Sequence, residues 1–426
     1  MTGTARIVIT LSVFAAMLAL VIVRPRRWNE AWWTMLGAAA MVVLGLVSPR
    51  EAIDATLAGK SALLFLLALL ALSLLVGKSG FFDWAAIRSA RLAKGNTRAL
   101  FRNAFVLGAI VTAILSLDTT AVILTPVMLA VVKRLRLPAP PYIFLCAFVA
   151  NVGSLVLPIS NLTNILFADT FHMTFAAFAS RMIAPQLAAL VTTYALLRWH
   201  FRRELPDSFD GASLPEPSSV VPNRAYFLAC VTVLAVVLVG YFLAPLVGLE
   251  PYIIAFAGSG LLAITGAVTG RVSIKTVGEL SWGLFPFVVG LFIAVQGLEN
   301  LGIVGITSGW LEHMRQGSPE KTLAVAGAAA VASNVMNNLP AALVARSVLA
   351  NARAQTVTVL AALVGTDAGP MVIPFGSLAT MLVLALARQE GEEVPAGRFV
   401  MFGLWAVPVV VVATAFALAL NVALAR

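Results

Sequence analysis

The chain has 426 residues, of which 60% are hydrophobic and only 11% charged, a usage far from that of soluble globular domains. A formal charge of +10 would suit nucleic acid, but the basic residues sit between apolar segments, where they orient a chain in a bilayer, so no nucleic-acid partner is expected. Cys146 and Cys230, both in apolar segments, imply no disulfide framework, and no GxxxxGK[ST] phosphate loop for ATP hydrolysis is present.

The first apolar run, Ile7 to Val23, is followed by Arg24-Pro25-Arg26-Arg27. A cleavable signal carries its charge ahead of the run, so this one reads as a retained span with its N-terminus outside. Stretches long enough to cross a ~30 Å core predict ten spans near 5–23, 31–48, 61–77, 141–170, 177–200, 225–245, 252–270, 280–298, 355–387 and 399–424. Segments 98–134 and 321–352 are apolar but interrupted. Six Lys/Arg lie in 78–102, and Lys133, Arg134 and Arg136 follow the other end of the first segment. A single crossing would put one of these clusters outside. A re-entrant hairpin with Asp118 near its tip keeps both inside, and 321–352 becomes a hairpin from the outer side with Asn334 to Asn338 at its tip. This arrangement puts 20 of the 29 Lys/Arg in the cytoplasm.

The expected organisation is an N-terminal repeat (1–200), a cytoplasmic linker (201–224) and an inverted C-terminal repeat (225–426). The fold class is an all-α polytopic membrane protein of two five-span halves, each with a hairpin (98–134, 321–352) and a broken helix (141–170, 355–387). The linker contains Pro206, Pro215, Pro217 and Pro222 among polar residues, which predicts a loop or a partly disordered connector. Trp28, Trp32, Trp33, Trp84 and Trp199 fall near predicted interfaces as an aromatic belt. His172, His200 and His313 fall at span ends or loops.

One motif occurs twice. Residues 151–164 (NVGSLVLPISNLTN) reappear 216 positions later as 367–380 (DAGPMVIPFGSLAT), sharing Gly, Val, Pro and Leu. The same offset carries Asp118 to Asn334, so each half holds one Asp and one Asn at its two breaks, in swapped order. Pro158 and Pro374 each remove a backbone donor, and irregular backbone at membrane depth is tolerated only against protein or a water-filled cavity. Asn151, Ser154, Ser160, Asn161, Thr163 and Asn164 crowd one break; Thr366, Ser377 and Thr380 crowd the other; Thr119, Thr120, Asn337 and Asn338 lie at the hairpin tips. Such side chains also cap helices, but caps do not require four breaks at matched places. Paired halves interrupted in this way point to a transporter whose substrate site is built from broken helices. Asp118 and Asp367 are the only carboxylates expected deep in the membrane, which makes them functional candidates, here for carrying protons.

The phrases LDTTAVILTP (117–126), SNLTNI (160–165), MNNLP (336–340), GTDAGP (365–370) and PFGSLAT (374–380), with SGFFDWAA (79–86), resemble the ArsB family of arsenite/antimonite efflux permeases over nearly the whole chain. The resemblance implies a two-hairpin inverted-repeat fold, export of trivalent arsenic and antimony coupled to proton entry, and possible pairing with a soluble ArsA-type ATPase. A location in the inner (plasma) membrane goes with it. Arsenite at neutral pH is an uncharged trihydroxide, so Asn151, Asn161, Asn164, Asn337, Asn338, Ser377 and Thr380 are suitable substrate ligands, with Asp118 and Asp367 close by. Two cysteines in different halves do not make a thiolate trap, and neither a metal site nor a cofactor is expected. The near alternative is a sodium/proton antiporter or carboxylate carrier of the same superfamily. The distant one is an intramembrane aspartyl protease using the two aspartates as a dyad.

The orientation is open to direct test. In intact cells a cysteine introduced as Asp210→Cys is expected to react only with membrane-permeant reagents; rapid labelling by an impermeant reagent would reverse the arrangement.

Overall fold

The structure, a computed structural model, describes residues 3–23, 29–302 and 318–424. Arg24 to Trp28 and His313 lie outside the described residues. The first part of the chain forms α1 (Gly3–Val23), α2 (Glu30–Val43), α3 (Pro49–Ala58), α4 (Lys60–Lys78), α5 (Phe81–Leu92), α6 (Thr97–Ile114), α7 (Leu117–Thr119), α8 (Thr125–Arg134), α9 (Pro140–Val152), α10 (Leu162–Thr170) and α11 (Phe175–His200). The second part forms α12 (Arg224–Leu243), α13 (Pro251–Val268), α14 (Ile274–Val277), α15 (Leu284–Glu299), α16 (Pro319–Met336), α17 (Asn338–Asn351), α18 (Thr356–Ala368), α19 (Leu378–Gln389) and α20 (Ala396–Leu424). The described residues are helical apart from turns, loops and one isolated bridge, Asn96 to Ser208.

Seven of these helices are long and apolar enough to cross a membrane by themselves: α1, α4, α6, α11, α12, α13 and α20. The expected stretches 31–48 and 280–298 are shorter helices, α2 and α15, and the expected broken helices 141–170 and 355–387 are each two shorter helices about a break. Hydropathy averages over a window and does not register where the backbone leaves the helix. Two of the short helices form the centre of the molecule. In α9 every residue from Pro141 to Val152 is buried, and in α18 every residue from Val357 to Ala368. A helix apolar on all sides is one that other helices surround. The outer helices show the complementary pattern: Ile183, Leu187 and Val191 of α11 are more than half exposed, a stripe four residues apart that suits lipid contact.

Close approach around α18 depends on small residues. A Cβ on Gly365 would lie 2.2 Å from the Ala326 carbonyl of α16, and one on Gly369 would lie 2.4 Å from Ala330 Cβ. Helices that lack a hydrophobic drive toward each other in lipid associate through such small-residue contacts.

Segment 98–134 consists of α6, a break at Leu115–Ser116, and a second helical arm that widens into a π turn over Thr120–Leu124. Pro126 explains the widening. It lacks an N–H and would crowd the carbonyl four residues back; the Thr120 carbonyl accepts from both the backbone N–H of Thr125 and its hydroxyl, the latter at 3.0 Å. In 321–352 the break is one residue, Asn337. The 216 offset therefore fails here. Asp118 lies in the first turn after its break, whereas Asn334 lies inside α16, three residues before Asn337 and not at the tip.

The linker is a loop, as its prolines demand, and it is strapped to other parts of the chain by hydrogen bonds. Phe209 N–H bonds the Gly95 carbonyl at 2.8 Å, Arg91 reaches the Leu214 and Pro215 carbonyls at 3.2 and 3.1 Å, and Arg271 reaches Pro222 at 2.8 Å. The guanidinium partners lie in distant parts of the chain and leave no mark on local composition.

Gly365→Ala is expected to destabilise the protein by roughly 1–3 kcal/mol through overpacking. Gly397→Ala, where a Cβ meets open space, should change little. Thermal unfolding of the detergent-solubilised variants makes the comparison, and equal midpoints would contradict the packing argument.

Candidate functional site

The two broken helices follow the same backbone course. Leu157 and Ile373 are extended (φ −125° and −119°), as residues before proline prefer to be. A 3₁₀ turn follows (Pro158–Ser160, Pro374–Gly376), then an extended cap residue, Asn161 (φ −152°) or Ser377 (φ −134°), that opens the next helix. Between the helix pieces the amides and carbonyls lose their helical partners. In one break they are met by Gln186 of α11, whose Oε1 accepts from Leu155 N–H at 2.9 Å while Nε2 donates to the Val152 carbonyl at 2.7 Å. Asn164 Nδ2 donates to the Ser154 and Leu157 carbonyls at 2.6 and 3.0 Å. In the other break Asn334 does most of this work, and Asn337 serves the Phe375 carbonyl. Asn334 Nδ2 donates to the Gly369 carbonyl at 2.8 Å, and its Oδ1 accepts from the Val372 and Ile373 amides at 3.1 and 3.3 Å.

The two breaks are tied to each other crosswise. Asn151, in the last turn of α9, donates to Thr380 Oγ1 at the start of α19 (3.1 Å). Asp367, in the last turn of α18, accepts from Thr163 Oγ1 at the start of α10 (2.8 Å). The same carboxyl oxygen accepts from Thr366 Oγ1 at 3.4 Å, and the Asn161 side chain lies beside this carboxyl. Asp367, Thr163, Asn164, Ser377 and Thr380 are fully buried. Among the described residues, Asn151 Oδ1, Asn164 Oδ1, Asp367 Oδ2 and Ser377 Oγ have no hydrogen-bond partner. Buried polar atoms are nearly always satisfied, so a concentration of unpaired ones at a single junction makes it a candidate ligand site.

Asp118 occupies a different position. It lines a small cavity of about 40 Å³ with Asn161, Asn337 and Asn338, and also a larger one of about 280 Å³ with Ser73, Thr119 and Glu279. Leu284 and Leu378 border both. The larger cavity extends toward the Lys78–Glu279 ion pair (2.6 Å). Among the described residues the hydrogen bonds to Asp367 come from Thr163 and Thr366, not from Asp118. Both tips fall on a non-glycine residue with positive φ: Ser116 (154°) and Asn337 (78°). Ser116 Oγ accepts from Thr119 N–H at 3.2 Å, and Asn337 Nδ2 donates to the Phe375 carbonyl at 2.9 Å. Sparsely populated backbone of this kind clusters at ligand sites and switches.

The structure thus gathers Asp118, Asn161, Asn337 and Asn338 around one cavity and Asn151, Thr380, Asp367 and Thr163 into the adjoining cross-ties, while the amide hydrogens of Asn164 are committed to backbone. Gln186 was not among the candidate residues. Its signal was a polar side chain beside Pro185 in an otherwise apolar stretch. Gln186→Leu leaves the Leu155 amide and Val152 carbonyl without partners and is expected to cost roughly 2–4 kcal/mol, as orphaned buried groups do. Chemical unfolding measures this, and an unchanged midpoint would show that the break is held by other means.

The model of the ArsB family, described as arsenical pump membrane protein, matches residues 9–421. The arsenical pump membrane proteins of Escherichia coli K12 and Yersinia enterocolitica are each 32% identical over 419 residues, covering 96% of this chain and 98% of the relative. A putative arsenical pump membrane protein of Bacillus subtilis is 26% identical over 416 residues, 92% of this chain and 94% of that one. The fold is shared with the crystal structure of the Alcanivorax borkumensis YdaH transporter at a TM-score of 0.60, with 14% identity and coverage of 89% and 90%. With a match over nearly its whole length, this chain belongs to the arsenical pump membrane protein family, ArsB.

Proposed function

We propose that the protein is a secondary efflux transporter that exports arsenite and antimonite as neutral trihydroxides in exchange for protons. The observation that carries this reading is the position of Asp118 between two cavities, with three asparagine side chains around the smaller one. A small trihydroxide needs both donors and acceptors, and amides with a carboxylate supply them. The absence of Lys and Arg from this lining disfavours carboxylate cargo.

In this reading Asp118 accepts a hydroxyl of the cargo when ionised and releases it when protonated. Asp367 and its Thr163 tie join the two halves and hold the second proton site. A neutral cargo moves uphill only if a second species binds the two access states differently, and the deep carboxyls are the groups able to hold one. The two helix–break–helix units act as re-entrant hairpins from opposite faces, and the halves form an inverted repeat around the site. The strap lies in the cytoplasm and both termini outside. The larger cavity then opens to the cytoplasm, the side from which cargo is collected. A soluble ArsA-type ATPase is a possible partner at that face.

Everted vesicles test the proposal. Asp118→Asn and Asp367→Asn are expected to abolish proton-driven arsenite accumulation, by at least about tenfold, the effect of ~1.4 kcal/mol, while downhill exchange persists. Tolerance of exchange is most expected at Asp367, whose counterpart in the other broken helix is already Asn151. Accumulation at wild-type rates by both variants would rule out these carboxyls as proton carriers. Transport of sodium or succinate instead of arsenite would favour the carrier or antiporter reading.

A further inference from the structure

The exposed stripe of α11 does not end in apolar residues. Continuing from Ile183, Leu187 and Val191 along the same helical face come Ala195, then Arg198 and Trp199, then Arg202 just past the helix end. A cavity of about 490 Å³ opens there, lined by Val191, Tyr194, Arg198, Trp199, Arg202 and, from α6, Arg98. Its size falls within the ~300–1,000 Å³ of small-ligand sites. The Arg202 guanidinium lies 5.2 Å over the Trp199 ring centroid, which orients its plane. Arg98 is paired with Asp207 at 3.0 Å. Among the described residues neither Arg198 nor Arg202 has a carboxylate partner.

We propose that this cavity binds the headgroup of an anionic phospholipid, with the phosphodiester between Arg198 and Arg202 and an acyl chain along Val191, Leu187 and Ile183. Three features converge on that ligand. Two unpaired guanidiniums supply forked donors for phosphate oxygens. Tyr194 and Trp199 are amphipathic rings of the kind that sit at headgroup level. The apolar stripe below runs in the direction lipid tails take. A free oxyanion would use the arginines but has no use for the stripe. Basic pockets between helices at a membrane edge recognise anionic headgroups by this combination.

The test measures binding of phosphatidylglycerol and phosphatidylcholine to delipidated full-length protein by native mass spectrometry. The wild type is expected to prefer phosphatidylglycerol, and the preference should survive excess inorganic phosphate. The Arg198→Gln/Arg202→Gln double variant is expected to lose about thirtyfold in phosphatidylglycerol affinity, the factor implied by two interfacial charges. Arg198→Lys/Arg202→Lys should keep the preference through charge, as should Arg388→Gln, which removes a cation paired elsewhere with Glu393. An unaltered preference in the Gln pair, or its loss in Arg388→Gln, would overturn the proposal. So would displacement of the lipid by inorganic phosphate, an arm that needs no variant.

Discussion

Backbone that leaves the helix in the middle of an apolar molecule must find partners there, and this constraint organises the structure. The two most deeply buried helices, α9 and α18, both stop short, and the segments after them carry amides and carbonyls with no water to receive them. Each break recruits side chains of matching capacity: Gln186 and Asn164 on one side, Asn334 and Asn337 on the other. The small-residue faces of α16 and α18 follow from the same need. Asn334 reaches Gly369, Val372 and Ile373 because Gly365 and Gly369 let the two helices approach to backbone contact. A larger side chain at either glycine would move the donor away from the acceptors it serves.

The same constraint creates a site. Prolines and extended caps turn the chain so that the ends of α9 and α18 face the starts of α19 and α10, and the cross-ties Asn151–Thr380 and Thr163–Asp367 close the junction. Satisfying the backbone consumes some polar capacity and leaves the rest. The amide hydrogens of Asn164 are used up, whereas Asp367 Oδ2 and Ser377 Oγ are not. Asn161 belongs to both environments, lining the cavity of Asp118 while lying beside Asp367.

The two aspartates are therefore unlike each other despite similar depth. Asp367 is enclosed and hydrogen-bonded, part of what holds the halves together. Asp118 follows a tip residue with positive φ and borders open space on two sides. In a low-dielectric interior such differences in surroundings set how readily a group changes charge.

Much of this was legible in the sequence, and the reason is locality. Hydropathy identified the apolar segments because burial in lipid is a property of composition over about twenty residues. Pro158, Pro374 and their glycines located the breaks because these residues act on their own backbone. The 216-residue offset aligned 151–164 with 367–380, and the two segments take similar backbone dihedrals at Leu157 and Ile373 and at Asn161 and Ser377. The offset failed at the other breaks, where one tip has two residues and the other a single Asn337. Tip length is decided by how the arms pack, not by the residues in them. Gln186 was missed because its partners, Val152 and Leu155, lie more than thirty positions away, and the strap's anchoring was missed because Arg91 and Arg271 lie outside it. The sequence by itself determined where the chain is apolar, where it must break and which residues there are polar. Only the tertiary structure decided which polar atom serves which backbone group and which is left over, because that choice rests on distances between segments that no local pattern records.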